Sequence, residues 1–494
     1  MSFWSPESIK AAVGGTWLAR PEAHELDGVS TDTRTVRVGA LFVALRGEKF
    51  DANTMVGQAA EGGAAMAIVD RPEALPSPLP ARLGVLHVQD TGVALLRLAA
   101  AYRRTLDGTR VIAVTGSNGK TTTTRLVASV LAQGLRGTAS MKSFNNRVGV
   151  PLTILSARRG DQYLVCEVGT NAIGEIGELA PVISPDIVVV TSIGREHLEG
   201  LGGIEGSVSE ALSLVQAIRP GGLAVINADA PLLLPAVRSL ASAGAKTRQA
   251  WGVLTFGQCE DAELRITGVE QGPGGLKFTL NDRTEHTVHL LGRHNASNAA
   301  AAIGVGRRMG VESAAIDMGL LVAEGPEMRL ERISAGGIHF INDAYNANPE
   351  SVLAALDVFA DATRGYPGRR VVILGDMLEL GEAGSAAHRE IGDAVARLSG
   401  VDLAVFVGPL SAHAADRVRT AWGQDRVVHV PPLDPAGAER VAAMLREGDT
   451  VLLKGSRGMA IERVLKAVAA RAGTAMPHGQ ENGRARRTPA QSAT

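Results

Sequence analysis

The stretch VIAVTGSNGKTTTTRL, residues 111–126, places the strongest constraint on what this chain can fold into. Four apolar residues lead into a glycine turn, then into Gly119-Lys120-Thr121 and a helical pattern. Strand, turn and helix in that order gather backbone N–H groups and a helix N-terminus around one point, an arrangement that suits a phosphate. The common spacing is G-x-x-x-x-G-K-[ST], and counting back from Gly119 finds Val114 where the first glycine belongs; the nearest glycine is Gly116. After Lys120, Leu126, Val127, Val130 and Leu131 share one helical stripe, and Gly134 can end the helix. Gly116, Ser117, Asn118 and Gly119 are therefore expected to wrap a phosphate. Lys120 would add a point charge and Thr121, followed by Thr122, a hydroxyl for Mg²⁺. A glycine turn with a surface lysine is the plainer alternative.

The same alternation runs on. YLVCEV (163–168), DIVVVTS (186–192) and LAVIN (223–227) are short, nearly all-apolar runs like VIAV (111–114). Such runs suit parallel strands covered on both faces, in a doubly wound sheet whose ligands sit beyond the carboxyl ends of the strands. Ahead of them, ALFVALRG (40–47), AAMAIVD (64–70), LGVLHVQD (83–90) and the helical GVALLRLAAAYRRTL (92–106) read as a small α/β domain, closed by the turn DGTR (107–110). From about residue 326, RRVVILGD (369–376), VDLAVFVG (401–408), RVVHV (426–430) and DTVLLKGS (449–456) read as a further open, Rossmann-like α/β domain. The expected fold class is three-domain α/β, divided at 1–107, 108–325 and 326–472, with 473–494 a disordered tail lacking apolar periodicity.

Composition serves mainly to exclude. A length of 494 residues suits about three domains. Fifty Lys and Arg against 51 Asp and Glu leave a net charge of −1, so no positive field is available for nucleic acid and an anionic ligand needs local positive groups. Cys166 and Cys259 are too few for a disulfide framework or a cysteine-rich metal site, which fits a reducing compartment. MSFWSPESIKAAVGGTW lacks the basic start and apolar core of a signal peptide, and no apolar run reaches the roughly 18 residues of a membrane span. A cytoplasmic protein that is not membrane-embedded is expected.

Polar residues that bear chemistry fall at the strand ends. Glu167 closes YLVCEV, where a carboxylate is costly unless paired; an ion-pair partner and a Mg²⁺ ligand are both open readings. His197 follows DIVVVTS in TSIGREHLEG, as a structural or a functional histidine. Asn295 and Asn298 open a helix in GRHNASNAAAAIGVG, as caps or as ligand contacts. INDAYNANPESV (341–352) packs Asp, Tyr and three Asn before a proline. LGDMLELG (374–381) and LLKGSRGM (452–459) end strands of the last domain; there Lys454 and Arg457 suit a carboxylate, or simply a solvated loop.

Taken together, these blocks resemble the Mur ligases, the ATP-dependent amide-forming enzymes of peptidoglycan precursor synthesis. TGSNGKTTT is similar to that family's shortened phosphate loop, which lacks the earlier glycine. NNRVGVPLT (145–153), CEVGTN (166–171), HLEGLGG (197–203), GRHNASNAAAA (292–302) and LLKGSRGM resemble its other blocks. DAYNANPES (343–351) and LGDMLELG are similar to blocks of the last cytoplasmic member, and GVSTDTRTVRVGALFVALRGEKFDAN (28–53) to its UDP-sugar domain. The resemblance spans about residues 26–465.

The resemblance implies two chemical steps with ATP and Mg²⁺: phosphorylation of the C-terminal carboxylate of a UDP-muramoyl tripeptide, then attack on the acyl phosphate by the amine of D-Ala-D-Ala. It implies Lys120, Glu167 and His197 as catalytic, with Thr121 and Glu167 on one Mg²⁺ and His197 on a second. Asn295, Asn298, Arg329 and Asp343 would join the loop residues at ATP. Ser30, Asp32, Arg34 and Arg46, with the RGEKFDAN segment, would face the UDP-sugar, and Asn145 and Asn146 would bind substrate. Tyr345, Asn346, Asn348, Lys454 and Ser456 would face the peptide end and the dipeptide. FDAN (50–53) stands where the family more often has a Gly-His pair. The family's carbamylated lysine has no counterpart in HLEGLGGIEGSVSEALSLVQAI (197–218): Ala211 falls at its place, and the adjacent Glu210 is expected to supply a negative oxygen to the second Mg²⁺. A monomer is expected. The rival readings are another amide ligase, such as a folylpolyglutamate synthase, and a non-catalytic P-loop nucleotide switch.

Overall fold

A computed structural model of the chain describes residues 2–47, 50–141, 143–245, 250–272 and 274–473. The expected tail therefore lies, from residue 474 on, outside the described residues. Residues up to 324 form one compact unit and those from 325 a second.

The first unit holds two sheets. The smaller runs in the order Thr16–Ala19, Gly84–His87, Met66–Val69, Leu41–Val43, Val29–Ser30, all parallel except the first pair. The larger has nine strands. Its parallel part runs Gly137–Ala139, Tyr163–Glu167, Arg110–Thr115, Ile187–Val190, Leu223–Asn227, Gly252–Gly257, with Leu264–Gly272 also parallel to its neighbour.

Along the strand Arg110–Thr115 the side chains alternate between two cores. Val111 and Ala113 join one apolar cluster, Ile112 and Val114 the other. The strand Ile187–Val190 divides the same way, with Val188 and Val190 on one side and Ile187 and Val189 on the other. Burial on both faces is why these segments read as unbroken apolar runs. The stripe Leu126, Val127, Val130 and Leu131 of the helix Lys120–Leu131 is buried in the second cluster, against Ala299–Ile303 of the helix Asn295–Arg308.

The first cluster continues into the small sheet. Leu41, Ile68 and Leu86 share it with Leu95 and Leu98 of the helix Thr91–Arg103. Buried Asp186 ties the end of that helix to the large sheet: it accepts from Arg103 (3.1 Å), Arg110 (3.1 Å) and the backbone N–H of Val111 (2.9 Å).

Besides Thr16–Ala19, two further antiparallel additions were not anticipated. Leu264–Gly272, Gly275–Leu280 and Glu285–Val288 form a meander at one edge of the large sheet, and Glu331–Ala335 pairs antiparallel with Ile338–Asp343 in the second unit. Burial along Leu264–Gly272, Gly275–Leu280 and Glu331–Ala335 largely alternates, so these strands have a solvent face and carry no apolar run.

The second unit is a six-stranded sheet in the order Glu331–Ala335, Ile338–Asp343, Thr450–Lys454, Arg370–Gly375, Leu403–Val407, Val427–Val430, parallel beyond its first pair. Asp343 and Lys454 are register partners at the carboxyl ends of neighbouring strands.

Candidate active site

The phosphate loop is held by the loop that follows the next strand. Ser117 N donates to Ser192 O (2.8 Å) and Asn118 N to Ser192 Oγ (2.8 Å), while Thr191 Oγ1 donates to Asn118 O (2.6 Å). Gly116 and Gly119 have φ of 125° and 87°, and a Cβ on either would lie 2.5 Å from an oxygen, of Thr191 and of Asn298 respectively. Both positions therefore require glycine, for backbone conformation and for space. At the helix start the first bond is donated by Thr123 to Gly119 O (2.8 Å), so the N–H groups of Lys120, Thr121 and Thr122 have no partner within the helix, an arrangement that suits an anion. Lys120 Nζ donates to Gly116 O (2.6 Å) and Ser117 O (2.9 Å) and pairs with Glu196 (3.2 Å).

Thr121 Oγ1 donates to Glu167 Oε1 at 3.1 Å. Asn145 Nδ2 donates to the same oxygen (2.9 Å). Glu167 is fully buried, and its Oε2 has no protein partner. A buried carboxylate oxygen without a donor is expensive in a protein interior and is relieved by a cation. With the Thr121 hydroxyl beside it, the donor set is all oxygen and fits Mg²⁺.

The other metal candidates do not join this pair into a cage: among the described residues, no three His, Cys, Asp or Glu side chains converge. His197 has φ 47°, a left-handed conformation unusual outside glycine, and leads the short helix Leu198–Leu201. Glu210, expected to supply a negative oxygen to the second Mg²⁺, lies at a helix start. Its oxygens accept from Gly174 N (2.7 Å) and Ile176 N (2.9 Å) at the start of Glu175–Ile183. Free N–H groups and the positive end of the helix dipole account for a buried carboxylate there.

Asn298 accepts from Thr123 Oγ1 (3.1 Å) and donates to Asn295 Oδ1 (2.7 Å); Asn295 in turn donates to Leu291 O (2.7 Å). The pair stands against Gly119, next to the phosphate loop. Asn146 accepts from Val148 N and Gly149 N at the start of the helix Gly149–Ser156, so it acts as a local cap.

In the small sheet, Ser30 Oγ donates to Asp32 O (2.9 Å), and Arg34 clasps Asp32 through Nε (2.9 Å) and Nη2 (2.6 Å). The Arg34 guanidinium holds the Asp32 carboxyl down to about 2. Arg46 pairs with Asp70 (3.1 Å), and buried Asn53 donates to both Asp51 (2.7 Å) and Asp70 (2.9 Å), giving FDAN a defined place. Glu48 and Lys49 of RGEKFDAN lie outside the described residues.

In the second unit, Lys454 Nζ donates to Asp343 (2.5 Å) and Asn346 O (3.0 Å), and Asp343 also accepts from Leu330 N (3.1 Å). The Arg329 guanidinium lies 4.2 Å from the centre of the Tyr345 ring. Asn348 is the N-cap of Pro349–Ala362, in a reciprocal capping box with Ser351. Ser456 Oγ accepts from Leu378 N (2.9 Å), which joins the LLKGSRGM and LGDMLELG loops.

Glu196, Thr191 and Ser192 were not anticipated. Glu196, like Glu167, is an acid beyond the end of an apolar strand, and it stands directly before His197. Thr191 and Ser192 look like ordinary strand-end hydroxyls until the fold sets the phosphate loop against them.

A phosphate loop at the carboxyl edge of a doubly wound sheet, beside a buried carboxylate with one oxygen unpartnered, defines a P-loop protein built for a nucleotide. Three family models match successive parts of the chain: "Mur ligase family, catalytic domain" over residues 25–103, "Mur ligase middle domain" over 114–306 and "Mur ligase, glutamate ligase domain" over 328–457. The chain belongs to the Mur ligase family. It is similar to the UDP-N-acetylmuramoyl-tripeptide--D-alanyl-D-alanine ligase of Bacillus subtilis (strain 168), with 37% identity over 93% of this chain and 97% of that protein. The enzyme of the same name from Escherichia coli (strain K12) is 34% identical over 90% and 94%. A crystal structure of MurF from Acinetobacter baumannii superposes with a TM-score of 0.81 at 30% identity, covering 94% of this chain and 99% of that one.

Proposed function

We propose that this protein is an ATP-dependent ligase that joins D-alanyl-D-alanine to a UDP-N-acetylmuramoyl tripeptide. The observation that carries the reading is Glu167 Oε2, buried without a partner beside Thr121 and the phosphate loop. The relatives' printed names supply the substrates. The three successive family matches support a division at 1–107, 108–325 and 326–472, with the protein acting as a cytoplasmic monomer.

The γ-phosphoryl group of ATP passes to the tripeptide's terminal carboxylate, and ADP leaves. The dipeptide amine then bonds to the acyl carbon, phosphate departs, and the amine gives up a proton. The phosphate loop and Lys120 orient the triphosphate, with Asn295 and Asn298 behind the loop, and Arg329 and Asp343 are assigned to the same nucleotide. Thr121 and Glu167 would hold a Mg²⁺ that offsets charge on the transferring group, and His197 is assigned to a second. Ser30, Asp32, Arg34 and Arg46 are assigned to the UDP-sugar, and Asn145 is assigned to bound substrate. Tyr345, Asn346, Lys454 and Ser456 are assigned to the peptide end.

Phosphate release tests the reading. Release that requires both UDP-muramoyl tripeptide and D-Ala-D-Ala, with matching pentapeptide, is the expected result. Release indifferent to either substrate would instead mark a nucleotide switch. Running lysine and diaminopimelate tripeptides in parallel defines the third residue.

A further inference from the structure

The charge that should meet the phosphates is already engaged. Lys120 Nζ makes three contacts, to the carbonyls of Gly116 (2.6 Å) and Ser117 (2.9 Å) and to the carboxylate of Glu196, whose two oxygens lie at 3.2 and 3.4 Å. Glu196 itself is buried. Lysine is a point charge on a flexible stem, so it can leave these partners for a phosphate; the carboxylate it leaves stays at the mouth of the loop. A bare triphosphate brought there meets a like charge, whereas one carrying a divalent cation does not. Glu196 also lines a small cavity with Gly116, Ser117, Thr170 and Ser207. The Ser207 hydroxyl is buried and makes no hydrogen bond, so a donor stands ready in the cavity for a carboxylate that has turned away from Lys120.

From this geometry we infer that Glu196 is a positioning residue that holds Lys120 across the phosphate loop and makes the site select cation-complexed triphosphate over the bare ion. The inference rests on the nucleotide-site reading above. It assigns to the residue before His197 a role separate from holding metal at Thr121 and Glu167.

The test is ATP binding by calorimetry, in EDTA and in saturating Mg²⁺, for the full chain and for Glu196→Gln, which keeps the shape and removes the charge. The substitution is expected to tighten binding of bare ATP by about tenfold and to change binding of the Mg²⁺ complex by less than about threefold. Equal affinity of the two proteins for ATP in EDTA would overturn the inference, and so would a loss of affinity in both conditions, which is what a merely structural role predicts. A second measurement needs no variant: the wild-type chain should bind inorganic tripolyphosphate more tightly with Mg²⁺ than without. Tighter or equal binding of the bare ion overturns the selectivity. Wild-type protein that binds ATP in neither condition would overturn the nucleotide site itself, a result distinct from the others.

Discussion

Lys120 and Glu210 show how a single side chain is defined by its surroundings. Lys120 is the one cation in the turn SNGKTT, and its ammonium reaches four oxygens, two carbonyls of the loop and both carboxylate oxygens of Glu196. Lys120→Ala removes the charge without touching the residues assigned to the UDP-sugar on the small sheet. Turnover should fall by about a thousandfold or more, as expected for loss of a group that meets the transferring phosphoryl. Binding of UDP-muramoyl tripeptide should stay within about threefold by titration, a shift of under about 1 kcal/mol. Near-normal ligation by the variant would end the phosphate-loop assignment. Glu210 leads to the opposite kind of prediction. Because it accepts backbone N–H groups at a helix start, Glu210→Gln should destabilise the first unit by about 1–2 kcal/mol in urea unfolding and leave the Mg²⁺ requirement of turnover unchanged. A raised Mg²⁺ requirement with unchanged stability would restore the metal-ligand expectation.

Two elements of the second unit are set by polar groups within them. The helix Pro349–Ala362 starts in the middle of the INDAYNANPESV block because Asn348 and Ser351 bond reciprocally and Pro349 needs no N–H partner. Asn348→Ala should lower stability by about 1 kcal/mol in urea unfolding, and that loss should exceed any direct change in dipeptide binding. His388 lies in the helix Gly384–Arg397, where Nε2 accepts from Met377 N (3.0 Å) and Nδ1 faces Gly384 O (2.7 Å). That pairing describes a neutral ring with its proton on Nδ1, and burial holds the pKa below the ordinary 6.5. As pH falls, the unfolded chain takes up this proton first. The stabilisation is therefore complete above 6.5 and is lost as pH drops from there toward the folded value. Hydrogen exchange of the strand Arg370–Gly375 should accelerate below that pH, and protection that is flat or rises on acidification would contradict the assignment.

At the scale of the molecule, one buried carboxylate stands at the junction of the first unit's two sheets. Asp186 faces Arg103 on the helix from the small sheet, and Arg110 and Val111 on the large one. The Asp186 and Arg103 side chains are both 5% exposed, so removing the acid leaves an arginine buried beside carbonyls alone. Asp186→Ala should destabilise the first unit by about 3–5 kcal/mol, whereas Arg110→Ala, on the exposed side of the same acid, should cost under about 1 kcal/mol. Thermal unfolding of the two variants measures the difference, and equal losses would show that the buried pair has no special weight.

Sequence alone determined the features that depend on local pattern. The parallel strands were legible because burial on both faces leaves long apolar runs. The phosphate loop was legible because Gly116 and Gly119 sit where no Cβ fits, directly before a helix. Glu167 could be found as an acid ending an apolar strand. The antiparallel meander at 264–288 stayed hidden because a half-exposed strand alternates and carries no such run. The partners of the functional side chains were decided by tertiary structure. Glu196 lies 76 positions from Lys120, and Glu210 lies 36 from the N–H of Gly174. No periodicity links residues that far apart. Whether a buried acid meets a metal, a lysine or a helix start depends on which strand end or helix end the packing brings beside it, since each offers the positive charge or N–H donor that a carboxylate in a protein interior needs.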